Sequence, residues 1–160
     1  RNMDFGAIKS IAVIPFTNLS RDNLAGDRVR DVFSTMLLAT GAVYVVPYGE
    51  VARNVAKAGI GSPATPSVEE LVRLGTMLKA EAIIVGTVKE YGEVRSGTAS
   101  GNVVSMSVQL FETATGKVVW SGATTKGGVS FKDRLLGGGG EPLNDATEAA
   151  VDDLLGKMFR

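Results

Sequence analysis

Apolar residues change their spacing several times along this chain, and each change marks a new element. Residues 11–16, Ile-Ala-Val-Ile-Pro-Phe, form a nearly unbroken apolar run. A strand covered on one face alternates, whereas a strand covered on both faces need not. The run therefore predicts the first and central strand of a parallel sheet, over 9–16, with Pro15 at its end because proline cannot donate a ladder hydrogen bond. Polar Thr17-Asn18-Leu19-Ser20 then leaves the sheet. The period becomes helical: Val29, Val32, Phe33, Met36 and Leu37 make one stripe of a helix over 22–40, capped by Ser20 or Asp22 and ended by Gly41. Arg28, Arg30, Asp31 and Ser34 fall off that stripe, toward solvent. A short strand over 43–46 closes at Pro47. A helix over 49–58 turns Val51, Val55 and Ala58 inward and stops at Gly59. After a loop with two prolines, Ser67 and Glu70 have the spacing of a capping box. The helix they open buries Val68, Leu71, Val72 and Leu78, and Gly75 permits close approach to a neighbour.

Residues 82–88 repeat the continuous apolar pattern, and this strand pairs with the first in the middle of the sheet. Residues 89–102 read as a polar, glycine-containing connection. From 103 to 112 the pattern alternates, with Val104, Met106, Val108 and Leu110 on a buried face and Ser105, Ser107 and Gln109 on a wetter one. A Thr-Ala-Thr-Gly turn leads to a returning strand over 117–125, an antiparallel hairpin. Residues 126–140 are irregular and end in Gly137–Gly140. Pro142 suits the first turn of a last helix, whose stripe is Ala150, Val151, Leu154, Leu155 and Met158. The order is βαβααβββα: an α/β fold of α+β character, with a mixed sheet that is parallel first and an antiparallel hairpin later, flanked by helices. Its 160 residues suit one domain.

Composition narrows the chemistry. Lysine plus arginine equals aspartate plus glutamate at 17 each, which is not the footprint of a nucleic-acid binder. With no cysteine and no histidine, thiol nucleophiles, cysteine- or histidine-based zinc sites and Ser-His-Asp arrangements are excluded. No apolar run approaches the roughly 20 residues needed to span a bilayer, and residues 1–10 lack the apolar core of a signal peptide. The chain opens on Arg rather than Met, as a processed chain would, and leaves room for a targeting segment removed upstream.

Four features carry candidate chemistry. Gly137, Gly138, Gly139 and Gly140 precede a helix, where glycine-rich loops cradle phosphate, but the P-loop ending is missing. Glu141, Asp145 and Glu148 would oppose an anion, and a mobile linker or partner-contact loop is the competing reading. Asp22, Asp27 and Asp31 lie near the start of the first helix, where Asp27 and Asp31, one turn apart, form either a metal-binding pair without a third ligand or part of a solvated helix edge that favours the dipole; Asp152 and Asp153 read as a solvated face. Among the aromatics, Trp120 shares a strand face with Val118 and belongs to the core. Tyr91 sits in a polar stretch, and Phe111 lies on the wetter face of its strand, where a partner should cover it. Thr17, Asn18, Pro47, Tyr48 and Thr87 would line a pocket at the C-terminal ends of the parallel strands.

Several strings together resemble a known group: Ile-Ala-Val-Ile-Pro-Phe-Thr-Asn-Leu-Ser, the Ala-Gly-Asp-Arg-Val helix, Val-Tyr-Val-Val-Pro, residues 74–88, and Leu-Phe-Glu-Thr-Ala-Thr-Gly-Lys-Val-Val-Trp at 110–120. They resemble the curli-secretion-lipoprotein (CsgG-type) superfamily, which includes the LpoB-type activators of penicillin-binding proteins; the N-terminal domain of TolB is similar in fold. The resemblance implies a periplasmic domain tethered to the outer membrane through a lipidated cysteine upstream of Arg1. It implies a non-catalytic role without cofactor, in contact with envelope proteins such as a cell-wall synthase or a secretion component, or with further copies of itself. Residues 89–102 are too short and polar for the membrane hairpins of the curli channel, so no pore is expected. Two other readings stand beside it: a small-molecule-binding α/β domain, and self-assembly through the face or edge of the hairpin. The expected contact surface comprises Tyr91, Arg95, Phe111, Arg134 and Gly137, Gly138, Gly139 and Gly140.

Overall fold

The computed structural model describes residues 7–128 and 142–159. In chain order the elements are β1 (Ser10–Val13), β2 (Thr17–Asn18), α1 (Ala25–Ala39), β3 (Tyr44–Val45), α2 (Tyr48–Lys57), α3 (Val68–Leu78), β4 (Ala82–Ser96), β5 (Ala99–Glu112), β6 (Lys117–Gly127) and α4 (Leu143–Phe159). The six strands form one open mixed sheet in the order β3-β1-β4-β5-β6, with β2 also paired to β4. β1 runs parallel to β3 and to β4, β2 runs parallel to β4, and β4, β5 and β6 are antiparallel. The expected α/β sheet is thus present, with β4 rather than β1 in its middle.

Helices cover both faces, which explains the unbroken apolar runs. Ile11 and Val13 of β1, with Ile84 and Val88 of β4, pack into one core with Phe33 and Leu37 of α1 and Leu154 and Met158 of α4. Ala12, Ile14 and Ile83 point the other way, into a second core with Val51 and Val55 of α2 and Leu71 and Leu74 of α3. Pro15 splits the expected first strand. β1 stops at Val13, opposite Ile84, and β2 resumes the ladder at Thr17, opposite Thr87. Phe16, in the gap, lays its ring on Gly86, where a Cβ would stand 2.7–2.8 Å from three ring carbons. It also meets Phe33 edge-on at 6.0 Å between centroids.

Several local expectations are corrected. Helix α1 starts at Ala25, and neither Ser20 nor Asp22 caps it; Asp22 instead accepts the Leu24 N–H at 2.8 Å. The capping box forms: Glu70 N–H donates to Ser67 Oγ at 3.1 Å and Ser67 N–H to Glu70 Oε1 at 2.8 Å. Val68, expected inside, is exposed and Leu74 is buried in its place, because the helix axis, not the first apolar residue, sets the stripe. A Cβ on Gly75 would collide with Thr113, so this glycine lets the β5–β6 turn close on α3. On β6 a bulge pairs Leu110 with Trp120 and Phe111 with Val118. It separates the face of buried Trp120 from that of half-exposed Val118, which the sequence reading had joined.

The largest departure is 89–102. These residues are not a loop: they complete β4 and β5, which run as one long hairpin through a turn at Gly97, φ +64°. A bulge between Val88 and Glu90 shifts the alternation by one position. It places Tyr91 on the same core as Val88. An alternating strand template fails across such a shift.

Candidate interaction surface

β2 escorts β4 only as far as Val88, whose carbonyl accepts the Leu19 N–H at 2.8 Å. There Asn18 turns the chain away. Its Oδ1 accepts from the Ser20 N–H at 3.0 Å and the Ser20 hydroxyl at 2.7 Å, while its Nδ2 donates to the Asp22 carbonyl at 2.7 Å. Gly26 of α1 packs closely against this loop, 3.3 Å from the Asn18 Cβ for an added Cβ. Among the described residues, β4 then continues over 90–96 with β5 on one side and no strand on the other. The foot of this open edge is a crevice of about 690 Å³ between 19–22 and 89–94, walled by Leu19, Tyr91, Val94 and Val103. Leu19 is 67% exposed there.

The direction of the main-chain groups follows from the register. The Thr113 N–H donates to the Glu81 carbonyl, so odd residues at the start of β4 face β5, and even ones such as Val88 face β2. After the bulge, Glu90 opposes Ser105 and Gly92 opposes Val103. The alternation is thereby reversed, and Tyr91, Glu93 and Arg95 turn their N–H and C=O groups toward the open edge. The Arg95 and Glu93 side chains are exposed and pair at 3.3 Å. By contrast, β6, the outer strand at the far side, is guarded. Lys157 of α4 donates to the Ala123 carbonyl at 3.3 Å and pairs with Asp153 at 3.0 Å. A hydrogen bond from Thr124 and the Lys157 ammonium hold the Asp153 carboxyl below its ordinary range. Asp153 is therefore a fastening between α4 and β6, not the solvated residue expected.

A second site lies at the C-terminal ends of β1 and β3, a crevice of about 540 Å³ between α1 and the β3–α2 turn. Arg30, expected on the wet side of α1, is buried in it. Its Nε and Nη2 both donate to the Val13 carbonyl, at 3.2 and 2.9 Å, and its guanidinium lies 3.6 Å from the centroid of the Tyr48 ring. The cause is the turn into α2. The Tyr44 and Val46 N–H groups serve the Lys9 and Ile11 carbonyls, and the next donor in that register, Tyr48, already opens α2, so no strand donor reaches Val13. Burial pulls the guanidinium below its ordinary pKa, and Tyr48 and Asp31 oppose that shift. Asp31 accepts from Nη1 at 3.1 Å and is itself exposed. Arg30 was legible in one respect: Gly26, Arg30, Phe33 and Leu37 share a helical spacing, and all four are buried.

The expected site residues disperse. Phe111 is 2% exposed and belongs to the α2–α3 core, so it is unavailable to a partner. Tyr91 is half-buried against the other core, with an edge on the crevice, and Arg95 stands at the surface. Arg134 and Gly137–140 lie outside the described residues. Thr17 and Thr87 pair with each other, and Asn18 is spent on its loop. Pro47 and Tyr48 sit in the Arg30 crevice, so the proposed five-residue pocket does not assemble. Among the described residues, no three carboxylates converge as a metal site, so Asp22, Asp27 and Asp31 do not form one. No helix there is long and apolar enough to cross a membrane.

An open mixed sheet with helices on both faces and a long β4–β5 hairpin is a fold shared with several solved structures. The chain resembles lipoprotein GNA1162 from Neisseria meningitidis at a TM-score of 0.67 and 21% identity, covering 94% of this chain and 97% of that one. It resembles a PelC dodecamer from Paraburkholderia phytofirmans at 0.64 and 17%, covering 97% and 90%. The LpoB C-terminal domain from Escherichia coli follows at 0.56 and 16%, covering 76% and 82%. At these identities the likeness is one of fold. Residues 4–139 match the family model described as "Putative lipoprotein GNA1162-like", and the chain belongs to that family. These findings support that name in place of a curli-type one. Comparison with curated protein sequences gave no match.

Proposed function

We propose that this chain is the globular part of a lipid-anchored envelope protein, held at the outer membrane on its periplasmic side, which works by protein contact rather than by catalysis. Family membership supports the lipid anchor. The observation that carries the contact role is the placement of the open β4 edge. The chain enters at Ile8, beside the N-terminal ends of β1 and β4, and the hairpin turn at Gly97 lies at the opposite pole. At about 3.3 Å per residue, the fourteen steps of β4 separate these poles by roughly 45 Å. An anchor ahead of Ile8 would hold one end at the bilayer and present Tyr91, Arg95 and the open edge to machinery away from it. LpoB- and PelC-like folds support an accessory or self-assembling role for such a domain.

Fatty-acid labelling of the full-length protein in cells, followed by envelope fractionation, tests the anchor. The expected result is label in the outer-membrane fraction. Photo-cross-linkers placed at Arg95 and, as a control, at Lys57 of α2 test the polarity, with adducts expected at Arg95 only. Unlabelled protein in the cytosol would overturn the reading.

A further inference from the structure

We propose that the crevice between α1 and the β3–α2 turn binds an apolar carboxylate, which the Arg30 guanidinium holds in place of Asp31. The inference is independent of the contact role above and concerns another part of the molecule. It starts from how the five guanidinium N–H groups are spent. The Nε–Nη2 edge is filled, since both nitrogens donate to the Val13 carbonyl at 3.2 and 2.9 Å. The Nη1–Nη2 edge is only half used. One oxygen of Asp31 accepts from Nη1 at 3.1 Å, and the remaining Nη1 and Nη2 hydrogens have no acceptor among the described residues. Such a planar fork suits a carboxylate that takes both nitrogens through two parallel bonds. Asp31 takes only one. Its side chain is 72% exposed while that of Arg30 is 5% exposed, so it meets the fork from the surface. A carboxylate that enters through the crevice would take both nitrogens and return Asp31 to water.

The rest of the crevice fits the same ligand. It opens beyond the carboxyl ends of β1 and β3, the place where open α/β sheets hold small molecules, and its volume of about 540 Å³ is that of a small-molecule site. Ser34, one helical turn after Arg30, lines it too. The Ser34 hydroxyl oxygen is buried with no hydrogen-bond partner among the described residues. Buried hydroxyls are partnered in the large majority of cases, so this one stands beside the fork as an unspent donor. Away from the charge the lining turns apolar. Leu38 and Tyr48 are large exposed side chains on the crevice, alongside Val45. A ligand with a carboxylate at one end and an apolar body behind it would cover both. A multiply charged anion such as phosphate fits less well, because Asp31 and Asp27 both act on Arg30 and would repel further negative charge. Two sources share the favoured chemistry: a free organic acid, and the last residue of a peptide that ends in an apolar side chain.

Isothermal titration calorimetry of the chain tests the site and separates the sources. The probes are 4-phenylbutyrate, an acetylated tripeptide acid ending in phenylalanine, and the neutral amide of each. At least one acid is expected to bind with a Kd of about 1 mM or tighter, and its amide about tenfold more weakly. Which acid binds names the source. Asp31→Asn is expected to tighten the acid about threefold, because the fork is then free of its internal competitor. Ser34→Ala is expected to weaken it about fivefold. Arg30→Lys keeps the charge without the fork and is expected to cost about tenfold. Asp31 is a surface residue, so Asp31→Asn reads the fork in a folded protein even where Arg30→Lys does not fold. Three results would each overturn the assignment: neither acid binding at about 10 mM, amides that bind as tightly as the acids, or an affinity that Asp31→Asn leaves unchanged.

Discussion

Arg30 shows how one missing donor elsewhere in the chain dictates a buried charge. The chain turns into α2 at Tyr48, the next ladder donor in register, and leaves the Val13 carbonyl without a strand partner. Arg30 reaches across from α1 to serve it with two nitrogens, and Tyr48 covers the guanidinium. A buried acceptor left unpaired costs about 1–3 kcal/mol. Arg30→Met is therefore expected to lower the unfolding free energy by about 2–3 kcal/mol in urea titrations. Arg30→Lys should recover only part of that loss, because an ammonium lacks the planar fork that reaches Val13 and stacks on Tyr48. The sequence reading placed Arg30 on the solvated side because a charged residue off the apolar stripe usually is. Its spacing with Phe33 and Leu37 pointed inward, but the acceptor that draws it in lies 17 residues away. Phe111 failed in the opposite sense. Its serine and glutamine neighbours suggested a wet face, yet α2 and α3 cover that face at the end of the strand where Phe111 sits.

Among the elements, α4 and β6 are joined by a clasp that titrates. Asp153 is held below its ordinary range by the Thr124 hydrogen bond first and by Lys157 second. A carboxyl whose folded pKa is depressed adds stability above its unfolded pKa, near 4, and that contribution is lost as pH falls through the folded value. Asp153→Asn is accordingly expected to be the less stable protein at pH 7. Its melting temperature should converge on that of the parent as pH falls through the depressed folded value, which calorimetry from neutral to acid pH would show. Element types were largely readable. Helical stripes, the capping box at Ser67 and the closing glycines all lie within a few residues of the structure they specify. The long hairpin was not readable, because 89–96 is a strand with one open edge and a bulge at its base. Polar residues suit such a strand as well as they suit a loop, and the bulge removes the alternation that would distinguish them.

Among the described residues, the sheet ends on β3 at one side and on β6 at the other, where Lys157 of α4 meets the Ala123 carbonyl, and β4 beyond Val88 has no strand on its outer side. The same architecture puts the chain entry and the hairpin turn at opposite ends of β4, the separation on which the proposed anchor-and-contact role rests.

By itself the sequence determined what local chemistry and periodicity determine: which residues are helical, which strands are buried on both faces, where prolines and glycines end them, and which catalytic chemistries the missing histidine and cysteine remove. Only the tertiary structure decided the neighbours. It moved β4 to the centre, turned Arg30 inward and Phe111 into the core, scattered the five residues of the supposed pocket, and left 90–96 as an edge. Each of these depends on contacts between residues far apart in the chain, and a one-residue bulge is enough to exchange the inner and outer faces of everything after it.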